Sequence, residues 1–318
     1  MVNEAKNRSL ASTSVQQGIG LEMQQRQVEL LARAVPGVDD VQASTTGPGR
    51  FVTLAAGAPD DPVLLMVHPL GGEIGWYRSL ARGVRRGFHV EALAGSEALA
   101  DVRTMDELIS AYGAQVSAQF AGRTVVLCGW SYGGILALLV GSALAPWVDL
   151  AEVIMIDPLI IPEGMALTPN FGLLVLTNGL LMRAGEKQLW LDDLAALGAG
   201  APDLTLWRTV VRERRGFTIP FEDREFDALR RKSEHQHELL AGRCGPWPDV
   251  AARVTTVWAS QCFTVSPKYD WRRHGRLAGN EYVLDADHYS VLARPELRDI
   301  LDARLTHTLT RKTGKQSA

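Results

Sequence analysis

The sequence has 318 residues, 46% of them hydrophobic and 22% charged, with a formal charge of −3. Those values exclude a fibrous or wholly disordered chain, give no whole-protein reason to expect nucleic acid, and suit one large α/β domain or two small ones. Three cysteines, Cys128, Cys244 and Cys262, are odd in number and lack metal-ligand spacing, so neither a disulfide framework nor a metal site is expected, and a reducing compartment fits. The first twenty residues have no apolar core of the kind a secretory signal needs. No uninterrupted apolar run reaches the roughly 18 residues of a membrane span. The expectation is a soluble cytoplasmic protein with no membrane or nucleic-acid partner.

Residues 1–20, rich in Ser, Gln and Asn, read as a disordered leader. Residues 21–48 read as a lead-in helix and linker. Val28, Leu31, Ala32 and Val35 fall at helical spacing and Pro36-Gly37 ends the run. From Phe51 strands and helices alternate. Phe51–Ala56 and Val63–His68 are strands, and the second is followed by His68-Pro-Leu-Gly-Gly72 and a helix from about Trp76 to Val84. His89–Leu93 is a third strand, and Thr104-Met-Asp-Glu107 spells a capping box that opens a helix to about Phe120. The fourth strand, Thr124-Val-Val-Leu-Cys, runs into Gly129-Trp-Ser-Tyr-Gly133 and an apolar helix-forming run. A fifth, Glu152–Ile156, ends at Asp157-Pro158. Alternation of this kind implies a mostly parallel, doubly wound α/β sheet.

The next strand-like run is Val254–Trp258, and the intervening residues are helical in pattern over Phe171–Met182, Leu204–Val211 and Phe226–Ala241. A crossover needs only about a dozen residues. The spacing therefore predicts a helical cap at 159–247 inserted into a core made of 49–158 and 248–306. Phe171-Gly-Leu-Leu-Val-Leu176 and Leu180-Leu-Met182 either line an acyl pocket or simply hold the cap together. Residues 208–232 carry eight basic side chains against five acidic ones, a face for an acidic partner or a merely solvated one. Asp270-Trp-Arg-Arg273 is read as helical, Glu281–Leu284 as the last strand, and His288 lies in the loop before a closing helix to about Leu305. Residues 307–318 read as a disordered basic tail.

Gly129-Trp-Ser131-Tyr-Gly133 sits where a strand turns sharply into a helix. Glycines two before and two after the serine let the backbone cross itself without a Cβ collision, leaving Ser131 exposed at the turn's apex. A serine hydroxyl needs a histidine to take its proton and a carboxylate to orient that histidine. Of seven histidines only His288 follows the last strand and precedes the closing helix. His235 and His237, two apart on a helix, do not share a face and make no metal pair. His68 precedes the nucleophile and is expected to shape the oxyanion loop. Asp157, at the end of the strand after the nucleophile's helix, is the preferred acid; Asp285 and Asp287 flank His288 and remain rivals. Backbone N–H groups of Tyr132 and Leu70 are the expected oxyanion donors. No nucleotide-binding glycine loop is present, and neither cofactor nor metal is expected.

Taken together, MVHPLGGEIGWYRSLA, HVEALAG, TMDELISAYGAQV, VVLCGWSYGG, VIMIDP and YDWRRHG…EYVLDADHYSVL resemble the thioesterase domains of nonribosomal-peptide and polyketide assembly lines. The resemblance spans Phe51 to about Leu301 and is weakest over the cap. It implies an α/β-hydrolase fold and an enzyme that takes an acyl or peptidyl chain from the phosphopantetheine thioester of a carrier protein onto Ser131. Release would follow by hydrolysis, cyclisation or transfer. It implies Asp157 as acid, His288 as base, the Leu70 and Tyr132 amides as oxyanion donors, and a carrier partner reached through the basic part of the cap. His68-Pro69 is similar to the pair in many integrated terminal domains, whereas stand-alone editing thioesterases more often carry an aromatic-proline pair; Ala286-Asp287, where glycine-aspartate is frequent, departs from the pattern. A carboxylesterase or lactonase acting on a free ester, and a hydrolase-fold interaction module with an idle triad, are the alternatives.

Overall fold

The computed structural model describes residues 47–159, 170–197, 202–243, 247–261 and 279–316. The expected leader, the helix at 21–35 and the helix at 270–273 lie outside these residues. Seven strands form one sheet in the order β1-β3-β2-β4-β5-β6-β7: β1 Gly49–Ala55, β2 Val63–Val67, β3 His89–Gly95, β4 Thr124–Trp130, β5 Asp149–Ile156, β6 Arg253–Gln261 and β7 Gly279–Asp287. Only β1 runs antiparallel, against β3; the other five pairings are parallel.

Helices cover both faces, so the central strands are apolar throughout rather than alternating with polar residues. All five residues of β2 are buried. Val63, Leu65 and Val67 point into one hydrophobic cluster, Leu64 and Met66 into the other, the two-residue period of a strand. The first cluster is closed by α2 (Met105–Gln119) and α3 (Tyr132–Ser142), the second by α1 (Arg78–Arg82) and α7 (Pro295–Gln316). Thr104 Oγ1 accepts from the Glu107 N–H at 3.2 Å. The Glu107 carboxylate reaches back to the N–H of Arg103 at 2.7 Å, one residue before the position a full capping box uses.

Between β5 and β6 lie α4 (Phe171–Arg183), α5 (Leu204–Arg215) and α6 (Asp223–Ala241). They pack a hydrophobic cluster of their own, in which Leu173, Leu174 and Leu181 surround Trp207 and Phe226. Trp207, fully buried, satisfies its indole N–H on Thr177 Oγ1 at 2.9 Å. The Asn178 amide holds Leu189 by both backbone groups, at 2.7 and 3.0 Å.

The closing helix corrects one expectation: α7 continues to Gln316 instead of giving way to a disordered tail at 307. Leu305 and Thr308 are buried and Leu309 packs on the core, so apolar contacts continue beyond where sequence polarity suggested. Arg304 on the same helix grips the buried Glu152 of β5 with two nitrogens, at 2.7 and 2.9 Å, and Thr255 of β6 donates to that carboxylate at 2.6 Å.

Candidate active site

Ser131 stands between β4 and α3 with φ 59° and ψ −127°, a conformation that costs a non-glycine residue about 1–3 kcal/mol. The surroundings enforce it. The Ser131 N–H donates to the Ile156 carbonyl at 2.9 Å, and the Ser131 carbonyl accepts from Gly134 and Leu159, both at 3.0 Å. A Cβ on Gly129 would lie 2.0 Å from the Gly133 carbonyl oxygen, and one on Gly133 would lie 2.3 Å from that of Val67. Only glycine fits at either place.

The parallel strands bring three separated residues together at their carboxyl ends, the edge where open α/β sheets carry their sites. Ser131 Oγ lies 3.0 Å from His288 Nε2, and His288 Nδ1 lies 2.5 Å from Asp157 Oδ2. All three side chains are buried. The second carboxylate oxygen of Asp157 accepts the Ala259 N–H at 3.0 Å, which fixes the carboxylate plane. With Asp157 accepting from Nδ1–H, Nε2 is left to accept from the serine hydroxyl.

Asp285 and Asp287, the rivals for the acid, are turned to other work. Asp285 accepts long bonds from Ser260 and Gln261, at 3.3 and 3.4 Å. Asp287 Oδ1 accepts the N–H groups of Tyr289 and Ser290 at 2.8 and 2.9 Å, an Asx-type turn that shapes the His288 loop. Burial alone would raise the Asp287 carboxyl, but the hydrogen bonds from Ser290 and Tyr289 together hold it below its ordinary range. Trp130 adds a further restraint, donating its indole N–H to the His288 carbonyl at 2.8 Å with its ring 4.9 Å from the imidazole.

The loop after β2 runs along the other side of Ser131. Gly71 and Gly72 adopt φ +95° and +82°, the left-handed region that favours glycine. The Gly72 N–H is spent on the Pro69 carbonyl at 3.1 Å and that of Gly71 on Gln236 Oε1 at 2.7 Å. Among the described residues the N–H groups of Leu70 and Tyr132 have no protein hydrogen-bond partner, as the first residue of a helix such as Tyr132 commonly does not. His68 is fully buried beneath this loop. Its Nδ1–H donates to the Pro69 carbonyl at 2.9 Å and its Nε2 accepts from the Tyr112 hydroxyl at 2.7 Å. Burial holds the imidazole neutral, with a pKa lowered to about 4.

A cavity of about 850 Å³, counted with its open mouth, adjoins Ser131 and His288. Its walls are Trp76, Trp130 and Tyr289 on the core side and Val175, Leu176, Leu180, Phe221 and Leu229 from the inserted segment. The two sequence readings of α4 divide by helix face: Leu173, Leu174 and Leu181 hold the inserted helices together, Val175 faces the cavity, and Leu176 and Leu180 do both. Gln236 and Arg183 carried no signal in sequence, because each reaches the site only through the packing of the inserted helices, and Trp76, which follows the loop after β2 and packs on Trp130 and Tyr289, belonged to no catalytic motif. Tyr289, which follows His288 directly, had adjacency as its signal.

The basic run at 208–232 is largely engaged internally. Arg208 binds Asp223 at 2.8 Å and the Ile219 carbonyl at 3.0 Å, Arg215 binds the Lys187 and Gln188 carbonyls, and Arg230 and Arg231 both pair with Asp227. Arg212 and Arg224 remain exposed without such partners among the described residues. No cluster of metal ligands, and no helix long and apolar enough to cross a membrane, occurs among the described residues.

No curated protein matches the chain in sequence. Similar solved structures include a holo four-domain nonribosomal peptide synthetase, AB3403, with 18% identity and a TM-score of 0.62 over 80% of this chain. The chain spans only 20% of that synthetase. The type II thioesterase BorB from the borrelidin biosynthetic cluster has 15% identity and a TM-score of 0.54, over 83% of this chain and 100% of that one. A membrane phospholipase A described as a bacterial virulence factor has 16% identity and a TM-score of 0.58, over 95% of this chain and 98% of that one. At such identities the likeness is one of fold. The model of the alpha/beta hydrolase family matches residues 64–298, and with its seven-stranded sheet the chain belongs to that family.

Proposed function

We propose that the protein is a serine thioesterase that takes an acyl or peptidyl chain from a phosphopantetheinyl carrier protein and releases it through an acyl-enzyme on Ser131. The observation that carries this reading is the hydrogen-bonded series Ser131 Oγ, His288 Nε2, His288 Nδ1, Asp157 Oδ2 at 3.0 and 2.5 Å, opening onto an apolar cavity. In the first half-reaction His288 Nε2 takes the hydroxyl proton as Ser131 Oγ bonds to the thioester carbonyl carbon. The negative charge that develops on the carbonyl oxygen is met by the uncommitted N–H groups of Leu70 and Tyr132, which cost no reorganisation at that moment. Collapse breaks the C–S bond, and the thiol leaves with the proton held by His288. In the second half a water, or an amine or hydroxyl, gives its proton to Nε2 and attacks the acyl-serine. Oγ departs and is reprotonated. Asp157 keeps the imidazole in one tautomer and balances its charge while protonated.

Helices α4 to α6 act as a cap over this site, with Val175, Leu176 and Leu180 taking the acyl chain and excluding water. Support for a carrier-bound donor comes from the motifs GWSYGG and DHYSVL and from the fold shared with BorB. The exposed Arg212 and Arg224 are the parts of the basic cap face available to an acidic carrier. The fold shared with a phospholipase favours a second reading, hydrolysis of a free oxygen ester by the same triad.

The two readings separate when the protein is offered one acyl group as a carrier-protein thioester and as an oxygen ester, with acylation of Ser131 followed by mass spectrometry. Faster acylation from the carrier supports the thioesterase. Equal or faster turnover of the free ester supports the second reading. Failure of Ser131 to react with either donor and with a fluorophosphonate leaves an idle hydrolase-fold module.

A further inference from the structure

The cavity beside Ser131 is mainly apolar, but Arg183 and Glu73 line it, and Lys232 rests against the loop after β2 that carries Glu73. Arg183, the last residue of α4, lines the cavity with its Cζ 4.3 Å from the centroid of the Trp76 ring. Stacking of this kind occupies one face of the guanidinium and leaves the in-plane N–H edge free to bind. Gly179, one turn earlier, makes the stack possible, because a Cβ there would stand 3.2 Å from Trp76 Cζ2. Trp76 in turn lies 5.2 Å from Trp130 and 6.0 Å from Tyr289, the neighbours of Ser131 and His288. The guanidinium is thus fixed to the catalytic edge by packed rings rather than by a mobile stem.

Lys232 approaches from α6. Its Nζ lies 2.8 Å from where a Cβ on Gly72 would stand, so the ammonium rests against the same loop. Neither cation makes a hydrogen bond or an ion pair within 4 Å among the described residues. Burial lowers the pKa of both, and Glu73, which also lines the cavity, acts against that on both. Arg50 and Glu97 also face Lys232, with opposite effects. One carboxylate on the cavity wall is therefore shared by two partly desolvated cations, and neither is contacted. A charged group taken out of water without a close partner is costly, and an anion placed between these two would relieve both.

We propose that Arg183 and Lys232 form an anion subsite at the rim of the Ser131 cavity, which selects acyl donors bearing a carboxylate or a phosphate. The anion has two sources on a donor of the proposed class: a carboxylate on the acyl chain, or the phosphate of the arm that presents it. The subsite deepens the thioesterase reading and rests on the cavity being the donor site.

Binding measured by calorimetry on the intact protein tests the subsite without requiring turnover. The probes come in pairs that differ by the anion alone, 4′-phosphopantetheine against pantetheine and suberamate against octanamide. The expected result is a preference of about tenfold or more for the anionic member of at least one pair, lost in Arg183→Gln and in Lys232→Gln while affinity for the neutral member stays within about twofold. A preference within the first pair assigns the subsite to the arm, within the second to the acyl chain. Equal affinity within both pairs, or variants that weaken the neutral and anionic members alike, overturns it. Turnover of N-acetylcysteamine thioesters of octanoate and suberate is followed in parallel. Anion-selective binding without thioester hydrolysis would sink the thioesterase and keep the subsite; hydrolysis without anion selectivity would do the reverse.

Discussion

At the sheet edge Ser131, Asp157 and His288 are placed by the backbone, whereas in the inserted helices the cavity-facing residues are placed by side-chain packing. The edge is held by main-chain bonds from Ser131 to Ile156, Gly134 and Leu159, by the Ala259 N–H on Asp157, and by two glycines that admit no Cβ. The helices carry a separate hydrophobic cluster around Trp207 and Phe226. The seam between the regions holds specific side-chain contacts, Gln236 on Gly71 at 2.7 Å, the Tyr289 hydroxyl on the Val175 carbonyl at 3.3 Å, and Trp76 against Gly179. In the proposed mechanism chemistry sits on the part that tolerates little movement, and selectivity on the part that can be repacked with less effect on it.

The largest effect expected is on the edge alone. Asp157→Asn keeps the shape but offers an amide to His288 Nδ1, favouring the wrong tautomer, and kcat should fall by ~10³–10⁴-fold with little change in melting temperature. A loss of under tenfold would remove Asp157 from its role and return Asp285 and Asp287 to consideration. Gly133→Ala, whose Cβ would meet the Val67 oxygen at 2.3 Å, should cost at least about 3 kcal/mol in chemical denaturation. Gly83→Ala, with its nearest atom at 3.4 Å, is the near-neutral control. Arg304→Met leaves Glu152 buried without its cation and should cost about 3 kcal/mol while kcat is unchanged; a change in kcat would mean that strain at the base of β5 reaches Asp157.

Acid provides a probe of each region. His68 lies at the edge and His237 in α6, its ring 4.5 Å from that of Phe171, and burial lowers both to about 4. Between pH 4 and the ordinary histidine value of about 6.5 the unfolded chain binds the extra protons, so stability is full above that window and is lost as pH falls through it. His68→Gln should remove part of that slope, on the order of 2 kcal/mol between pH 7 and pH 5, in urea titrations. His237→Gln tests the inserted helices in the same way. If these unfold as their own unit, it should move only one of two transitions.

The smallest effect is at the seam. Gln236→Leu leaves the Gly71 N–H without its acceptor beside the Leu70 donor, and should lower kcat about tenfold with KM nearly constant, whereas Gln236→Glu keeps an acceptor and most of the rate. Parallel losses in stability and kcat for both variants would reduce Gln236 to a packing residue.

The tight turn at Ser131 could be read in sequence because its requirements are local: a β-prone run, two glycines two residues either side of a serine, and a helix. The mostly parallel sheet followed from the alternation of elements, which also put His288 after the last strand, whereas the strand order came only from the structure. The end of α7 was misread because its polar residues hide the buried Leu305 and Thr308 and the partly buried Leu309. The choice among Asp157, Asp285 and Asp287 needed coordinates, since all three lie near the same edge and only direction separates them.

Local spacing and topology, then, determined where a nucleophile, an acid and a base could stand, because tight turns and parallel crossovers impose their residue types within a few positions. What lines the cavity was decided by tertiary structure. Gln236 reaches Gly71 across 165 residues of chain, and Arg183 meets Trp76 only because α4 lies over the sheet edge with a glycine at the point of contact. Such contacts depend on how two separately packed units meet, and a one-dimensional pattern of polarity does not encode that.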